Sequence, residues 1–486
     1  MNETVRIVLC YIVFFAYMLL ILAVGEFLQK KFNLDKEMCR KGEHLASGLC
    51  WLICCLFLGV SVHTFIMNAI GLALLIPVIF LGSLKSVERK DAGKSYGIVY
   101  FAFSTLVAMG ITVFFNQDFF WFTGIAYYCM VLGDGFAPIF ARLAGRFNFK
   151  ITEKKTAVGY LTVFALSCLV TMTFSLIAHL QLTPLMVISV GALAAEAEVF
   201  SEKGTDNLTL EFAVFGYLVL NYYGLATLPL QWTLIVSLPL VAVDGALKVF
   251  TPAANCLAYI FFVLSAFFGG TAMIVCLVIT FALSAAIGKV TNAIYNRNRE
   301  EKVSLSRKAM QIFAVTFVTL ACVTAHYFSK VAVILWAAYV ALAEQFADTA
   351  ASDVGKLSKK PPRDIVTMRQ MTAGLSGGVS VIGTLGAFLF GAAVLVIPFA
   401  FGVFDWRVLL AGVALSFFGT LIDSVLGSRL QVLYRCAVCG ERTERKEHCG
   451  ERTEYVKGIK FLDNSGVNLV SGILTAAIAS GVLLLF

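Results

Sequence analysis

The chain has 486 residues, of which 59% are hydrophobic and only 14% are charged. Soluble domains carry roughly 25% charged residues, so this composition excludes a soluble enzyme, a nucleic-acid binder and a disordered chain. The net charge of +8 therefore has to be interpreted loop by loop against a membrane.

Apolar runs follow one another along the whole chain, each long enough to cross a bilayer core of about 30 Å. They predict an all-α fold, a polytopic transmembrane helical bundle of about 14–16 spans. The runs are continuous rather than alternating, which disfavours a β-barrel. The first run, 5–28, is interpreted as a span, because no small-residue cleavage site separates it from Lys30 and Lys31.

The sequence divides into two predicted membrane domains, 1–224 and 225–486, the second with a polar insert at 432–460. Basic residues concentrate in some connections and are almost absent from others, such as 180–184. By the positive-inside rule, the basic connections face the cytosol. Among them are the loops 142–155, 356–369 and 432–460.

Carboxylates at membrane depth are the strongest functional candidates, because a buried charge in a bilayer is costly. Helix caps and structural ion pairs are the alternative interpretation. The acidic residues in or beside apolar runs are Asp134, Glu196, Glu198, Asp206, Glu344, Asp348, Asp353, Asp423 and Asp463.

An internal repeat orders these carboxylates. When Asp134 is aligned with Asp348, similar residues follow three, eight and 21 positions later. The pairs are Ala137 with Ala351, Arg142 with Lys356, and Lys155 with Arg369, followed by Thr156 and Gly159 in one half and Thr372 and Gly374 in the other. Each half continues with a carboxylate and an Asp-Asn pair. Chance similarity between apolar segments is the alternative.

This pattern suits phosphoryl transfer, which needs a metal, charge neutralisation and positioning. Mg²⁺ prefers oxygen ligands, and the predicted magnesium ligands are Asp134, Glu196, Glu198, Asp206, Asp348, Asp423 and Asp463. Basic side chains, amides and glycine turns bind phosphate, and the predicted phosphate or nucleotide contacts are Arg142, Arg146, Lys154, Lys356, Arg363, Gly374, Gly377, Gly378, Ser380, Asn207, Asn464 and Asn468. The predicted catalytic pairs are Asp134 with Lys155 and Asp348 with Arg369. No Walker A motif is present.

The first half contains RK at 40–41, His44, KSYG at 94–97, GDGFA at 133–137, Gly145, KT at 155–156, Gly159, Glu196 or Glu198, and DNL at 206–208. With these residues, 35–215 resembles the CTP-dependent dolichol and phytol kinase family. The resemblance implies an isoprenoid alcohol as acceptor, CTP as donor and Mg²⁺ as cofactor. Ala141 stands where that family usually has glycine.

The second half contains Arg307 and Gln311, ADT at 347–349, AS at 351–352, Gly355, PR at 362–363, the segment 374–380, DS at 423–424, Gly427, Gln431, DN at 463–464 and VN at 467–468. It resembles the membrane family that includes plant phytyl-phosphate kinase. Val315 stands where that family tends to have asparagine. The resemblance implies an isoprenoid monophosphate as acceptor and CTP or another nucleotide as donor.

The polar insert contains Cys436, Cys439, His448 and Cys449. Thiolates and imidazole are the ligands of tetrahedral Zn²⁺, so the insert is a candidate structural zinc site. Adjacent residues such as His448 and Cys449 are hard to place on one ion, and reduced thiols are the alternative.

Together these observations predict a two-step membrane isoprenoid kinase, of the polyprenol or phytol type. Its expected partners are the lipid bilayer, the isoprenoid substrate, a nucleotide and a second copy of the chain, with no nucleic acid. A CTP-dependent lipid cytidylyltransferase has the same residue requirements. A secondary transporter is a further alternative, because transporters also combine internal repeats with intramembrane carboxylates.

Overall fold

A computed structural model describes residues 2–32, 36–80, 97–145, 148–152, 155–201, 205–247, 250–295, 308–372 and 374–486. Within these ranges the chain forms fifteen α-helices, and short β-strands occur only between 363 and 457. The predicted all-α, polytopic membrane fold is confirmed. Nine of the described helices are long and apolar enough to cross a membrane by length and composition, fewer than the sequence predicts.

The number of candidate spans is lower than predicted for local reasons. Two expected spans are helices of only 17 residues, Pro184–Phe200 and Asp206–Tyr222, and a third helix, Ala332–Gly355, carries three acidic residues. Two other expected spans form one long helix, Pro252–Tyr295, that is interrupted at Gly270. Only glycine readily adopts the backbone angles found there (φ 74°, ψ −166°).

The chain forms two compact units, Met1–Leu247 and Lys248–Phe486. The helices of the first unit are α1 (Glu3–Phe32), α2 (Lys36–Phe57), α3 (Val62–Phe80), α4 (Gly97–Phe114), α5 (Phe120–Leu143), α6 (Ala157–Ile177), α7 (Pro184–Phe200), α8 (Asp206–Tyr222) and α9 (Leu228–Leu247). A short 3-10 helix, Gln117–Phe119, precedes α5.

The division between the units lies after 247 and not after 224, where the sequence analysis placed it. The reason is that α9 is attached to the first unit by polar contacts between buried helices. The Ser237 hydroxyl on α9 donates to Glu196 on α7 at 2.6 Å, and the Ser189 hydroxyl on α7 donates to the carbonyl of Gln231 at 3.3 Å.

The helices of the second unit are α10 (Pro252–Tyr295), α11 (Ala309–Ser329), α12 (Ala332–Gly355), α13 (Val381–Ala400), α14 (Trp406–Arg429) and α15 (Asn464–Leu483). Helix α12 is central: residues 337–347 are buried without interruption, as expected for a helix that is covered on every side. Helix α13 instead exposes Val381, Leu385 and Leu389, four residues apart, on one apolar face.

Two polar connections of the second unit contain β-strands. In the connection from α12 to α13, β1 (Arg363–Asp364) pairs with β2 (Gly378–Val379). In the polar insert, β3 (Leu433–Arg435) pairs with β4 (Arg442–Thr443) and β7 (Glu454–Lys457), and β5 (Glu447–His448) pairs with β6 (Glu451–Arg452). The polar insert is evident from the sequence, but its strands are not.

The helix pairs α5–α6 and α12–α13 share a local arrangement, although in a different register from the one predicted beyond the first helix. Thr156 caps α6 by accepting a hydrogen bond from the Gly159 N–H, and Ser380 caps α13 by accepting one from the Gly383 N–H. A Cβ at Gly159 would lie 3.7 Å from Cβ of Ala137, and one at Gly383 would lie 3.2 Å from the carbonyl of Ala351.

The structural counterparts of Thr156 and Gly159 are therefore Ser380 and Gly383, not Thr372 and Gly374. Ala137 and Ala351 keep their predicted equivalence, because both lie one helical turn after the aligned aspartates. The connection after α12 is longer than the one after α5 and contains a strand pair, which a fixed 21-residue spacing cannot follow.

Candidate cation and phosphate sites

Three carboxylates of the first unit come together. Asp134 lies in the second half of α5, Glu198 near the end of α7, and Asp206 in the first turn of α8. One oxygen from each lies within 4.8 Å of the others, and all three side chains are buried. Sequence reasoning predicted each of these residues, and the fold brings them together.

Two lysines neutralise much of this acidic cluster. Nζ of Lys41, on α2, donates to Asp134 Oδ1 at 2.5 Å and to the Asp134 carbonyl at 2.9 Å. Nζ of Lys155 donates to Glu198 and also to Asp206, the latter at 3.1 Å. The Lys155 ammonium therefore bridges two carboxylates, as a metal cation would.

The charge of Lys155 is held in place by this arrangement. Burial acts to lower the pKa of the Lys155 ammonium, but the carboxylates of Glu198, Asp206 and Asp134 outweigh it and raise that pKa well above its usual value. Lys155 precedes α6 and the capping residue Thr156, so the start of that helix fixes its position.

The donor set of the first unit fits Mg²⁺. It offers three carboxylates, and hard oxygen ligands are what this ion prefers. Two further acceptors, Glu198 Oε2 and Asn207 Oδ1, are buried and have no hydrogen-bond donor among the described residues. A bound cation, or water on it, would satisfy such atoms.

Other predicted residues of the first unit lie elsewhere. Glu196 is two residues from Glu198 and therefore faces away from it on α7; its carboxylate accepts from Ser237 instead. Arg142 is exposed in the last turn of α5. The predictions for Arg146 and Lys154, and residues 94–96 of the KSYG motif, lie outside the described residues.

In the second unit, neutral groups link the acidic residues. The Ser471 hydroxyl on α15 lies 3.2 Å from Glu344 Oε1 and 2.9 Å from Asp423 Oδ2. Nε2 of Gln345 donates to Glu344 Oε2 at 2.6 Å and to the Asn468 carbonyl at 2.8 Å. All five of these residues are buried.

Asp348 lies one turn after Glu344 on α12. Lys356, a predicted phosphate contact, donates to Asp353 at 2.6 Å. Among the residues that the structure describes, no lysine or arginine forms a salt bridge with Glu344, Asp348 or Asp423.

Gly377 is fixed by packing as well as by its backbone conformation. It has φ +82°, and a Cβ there would lie 2.6 Å from the Ser428 backbone at the end of α14. The Ser376 N–H donates to the Glu444 carboxylate at 2.6 Å, and its hydroxyl to Asn464 Oδ1 at 3.0 Å. An amide of the predicted phosphate loop is thus already bound to an acidic side chain.

Several predicted residues have local structural roles. Asp463 is the N-cap of α15 and accepts from the Gly466 N–H at 3.0 Å, and Ser380 is the N-cap of α13. Arg363 is exposed and donates to the Met368 carbonyl. Arg369 is also exposed, and only its carbonyl has a hydrogen bond described, from the Asp364 N–H. Arg369 does not occupy the position that Lys155 has in the first unit, because the β1–β2 pair directs this connection differently.

The four metal-ligand candidates of the insert do come together. The ligand atoms of Cys436, Cys439, His448 and Cys449 all lie within 4.8 Å of one another. The sequence suggested that adjacent His448 and Cys449 are hard to place on one ion. In the structure, Cys449 has a left-handed backbone (φ 53°), and its Sγ lies 3.2 Å from Nδ1 of His448.

Sequence reasoning missed several functional candidates. Lys41 was visible only as part of the RK motif, and Gln345, Ser471 and Glu444 gave no signal of their own. Glu211 on α8 was also missed: it is buried, and its Oε2 accepts from Ser104 at 2.5 Å and Thr105 at 3.2 Å. Its spacing of four residues from Asn207 could have suggested a polar helix face.

Comparison with known protein families gives a match for the second part of the chain. Residues 235–476 match the model of the family described as integral membrane protein DUF92. This similarity supports the interpretation of the chain as an integral membrane protein. No solved structure matches the chain.

Two curated relatives match parts of the chain, and the name of one of them describes a membrane protein. Protein PGR of Arabidopsis thaliana is 33% identical over 144 residues, covering 27% of this chain and 49% of that protein. An uncharacterized membrane protein of Synechocystis is 30% identical over 153 residues, covering 30% of this chain and 59% of that protein. The chain spans about half the length of these relatives, and neither name describes an activity.

Proposed function

We propose that this protein is a Mg²⁺-dependent phosphotransferase of the membrane that phosphorylates an isoprenoid lipid in two steps. The first unit converts the alcohol to its monophosphate, and the second converts the monophosphate to the diphosphate. The observation that carries the proposal is the buried cluster of Asp134, Glu198 and Asp206 with Lys41 and Lys155.

The first-unit cluster has the parts that phosphoryl transfer uses. Asp134, Glu198 and Asp206 would hold Mg²⁺, which supplies charge neutralisation at the transferred phosphate when bound. Lys41 and Lys155 supply fixed positive charge beside these carboxylates, suited to phosphate oxygens. In the transfer, the lipid hydroxyl oxygen forms a bond to the γ-phosphorus of CTP, CDP leaves and the hydroxyl proton is released.

The position of the cluster favours a lipid acceptor. Glu198 lies near the end of α7, Asp206 in the first turn of α8 and Asp134 in the second half of α5, beside long apolar segments. A hydroxyl at the headgroup level of a bilayer could reach such a site from the lipid side, whereas a nucleotide would approach through the basic connections. The same basic connections lead us to propose that both sites open to the cytosol.

The second unit supports a related activity. Its acidic residues lie in the second halves of α12 and α14, and the connection that follows α12 contains Lys356, Arg363 and Arg369. A monophosphate acceptor is more negative than an alcohol, so extra basic side chains near the site would favour its binding. The resemblance to a family with phytyl-phosphate kinase supports this assignment.

A labelled-nucleotide assay tests the proposed function. The purified chain in lipid is incubated with Mg²⁺ and either α- or γ-labelled CTP, with a panel of isoprenols and isoprenyl monophosphates. We expect the γ-label, and not the α-label, in the lipid product, with release of CDP. Incorporation of the α-label with release of pyrophosphate would identify a cytidylyltransferase. No incorporation with any donor, together with nucleotide-independent solute uptake, would favour a transporter.

A further inference from the structure

Two tight turns of the polar insert carry the four sulfur and nitrogen ligand candidates. In the first, the Gly440 N–H donates to the Cys436 carbonyl at 3.0 Å, with Gly440 at φ 75°. In the second, Cys449 and Gly450 both have positive φ, 53° and 80°. Such turns point neighbouring side chains toward one place, and here they bring two thiols to the imidazole of His448.

The distances fit a tetrahedral zinc site. Nδ1 of His448 lies 3.5 Å from Sγ of Cys439 and 3.2 Å from Sγ of Cys449. Bond lengths of about 2.3 Å to sulfur and about 2.0 Å to nitrogen give a tetrahedral edge of roughly 3.6 Å between these atoms.

The chain between these turns touches the second-unit site. Residues 440–447 connect Cys439 to His448, and Glu444 lies in their middle. Its carboxylate accepts the Ser376 N–H at 2.6 Å, and Ser376 also contacts Asn464, the first residue of α15. Both ends of this segment are therefore next to the ligand cluster, while its centre is docked on the glycine-rich loop.

We propose that Cys436, Cys439, His448 and Cys449 bind one Zn²⁺, and that this ion holds Glu444 on the Ser376 amide. Zinc fixes the two ends of the segment 440–447 and so restricts the positions that Glu444 can reach. The bond to Ser376 then stabilises the loop 374–378 against the end of α14. This role goes beyond phosphoryl transfer, and it stands or falls independently of it.

Metal content tests the first part. The full chain is purified in detergent with a reductant, and its zinc is measured with that of the single variants Cys439→Ser and Cys449→Ser. We expect about one zinc per chain in the wild type and a loss of most of it in each variant. Cys322→Ser, a half-buried cysteine of α11 outside the cluster, is the matched control and should keep its zinc. Cobalt substitution should give the intense visible bands of tetrahedral thiolate coordination.

Hydrogen exchange followed by mass spectrometry tests the second part. Chelation of zinc should accelerate exchange of the Ser376 amide by about tenfold or more, as expected for loss of a hydrogen bond to a charged group. Glu444→Gln should accelerate the same amide while leaving the zinc content unchanged. Thus metal binding and the contact of Glu444 are separated in different variants.

Three outcomes would overturn the proposal. A chain that takes up no zinc after reconstitution, or in which two of these cysteines form a disulfide, has no such metal site. A chain that binds zinc but shows the same Ser376 exchange with and without chelator lacks the coupling to Glu444. Neither readout requires catalysis, so failure of the proposed kinase activity would leave both results interpretable.

Discussion

The acidic clusters of the two units differ in how their negative charge is balanced. In the first unit, Lys41 and Lys155 lie directly on Asp134, Glu198 and Asp206. In the second, Glu344 and Asp423 are linked by the neutral side chains of Ser471 and Gln345. Lys356, which directly follows α12, pairs with Asp353 instead.

Similar acidic patterns in the sequence can therefore have their negative charge balanced in two different ways in the structure. The first cluster holds its own cations, which offset part of its negative charge without a metal. The second has no such ion pairs among the described residues, so its carboxylates depend on protonation or on a bound cation. We therefore expect the second unit to respond more strongly to Mg²⁺ than the first.

The largest expected effect concerns two glutamates of α7. Glu198→Gln removes a predicted Mg²⁺ ligand and should lower alcohol phosphorylation by about 100-fold or more. Glu196→Gln is the matched control, because its carboxylate contacts Ser237 and not the cluster; its activity should stay within a few-fold of wild type. Initial rates with an isoprenol and labelled CTP measure both. Equal losses in the two variants would place the metal site elsewhere on α7.

Removal of the Lys155 ammonium should show, through thermal stability, whether the first-unit carboxylates bind a metal ion. Lys155→Met leaves Glu198 and Asp206 without their ammonium partner, and loss of one member of a buried pair costs about 3–5 kcal/mol. Mg²⁺ should restore more of the thermal stability of Lys155→Met than it adds to wild type, because it can occupy the same place between the carboxylates. Thermal unfolding in detergent with and without Mg²⁺ measures this difference. If Mg²⁺ has no effect on the variant, the first-unit carboxylates are a structural ion-pair cluster.

A matched pair of glycines tests whether the loop 374–378 is fixed by packing. Gly377→Ala would place its Cβ 2.6 Å from the Ser428 backbone and also strain a positive φ. Gly374→Ala has the strained φ of +93° but nothing within 4 Å. We expect Gly377→Ala to lose about 2 kcal/mol more of the free energy of unfolding than Gly374→Ala. Similar losses of unfolding free energy in the two variants would show that the end of α14 can shift to make room for the added Cβ.

The smallest expected effect is a pH dependence of the β1–β2 connection. Burial acts to raise the pKa of Asp364, but hydrogen bonds from the Thr367 backbone and the Ser428 hydroxyl outweigh it and lower this pKa to about 2. Because the folded value lies below the unfolded value of 3.8, the contribution is present above pH 3.8 and is lost as the pH falls toward 2. Solvent exposure keeps this contribution small. In Asp364→Asn, protection of the β1–β2 connection from hydrogen exchange should no longer depend on the protonation of this side chain within that pH window. A variant with the same pH profile as wild type would contradict the assignment of this effect to Asp364.

The membrane fold could be predicted from the sequence because a long apolar run in a bilayer must satisfy its backbone hydrogen bonds internally, and an α-helix does this within one segment. The sequence also predicted Asp134, Glu198 and Asp206, because acidic residues within apolar runs are conspicuous. It could not distinguish Glu196 from Glu198, since the choice depends on how α7 is rotated against α9. Lys41 was hard to assign because its partner is 93 residues away.

The second unit shows a different limit of sequence reasoning. Equal spacing suggested that Arg369 corresponds to Lys155, yet strands β1 and β2 place Arg369 on the surface. Asp463 looked like a metal ligand but acts as a helix cap. In both cases the residue type was compatible with function, and only the backbone geometry decided its role.

The most direct test of the central claim compares two single variants on two acceptors. Purified Asp134→Asn and Asp348→Asn are each given an isoprenol and, separately, its monophosphate, with Mg²⁺ and labelled CTP. We expect Asp348→Asn to accumulate monophosphate from the alcohol, whereas Asp134→Asn fails on the alcohol but still converts added monophosphate to diphosphate. If Asp134→Asn blocks both reactions and Asp348→Asn blocks neither, the second unit is a structural repeat and the two-site account is wrong.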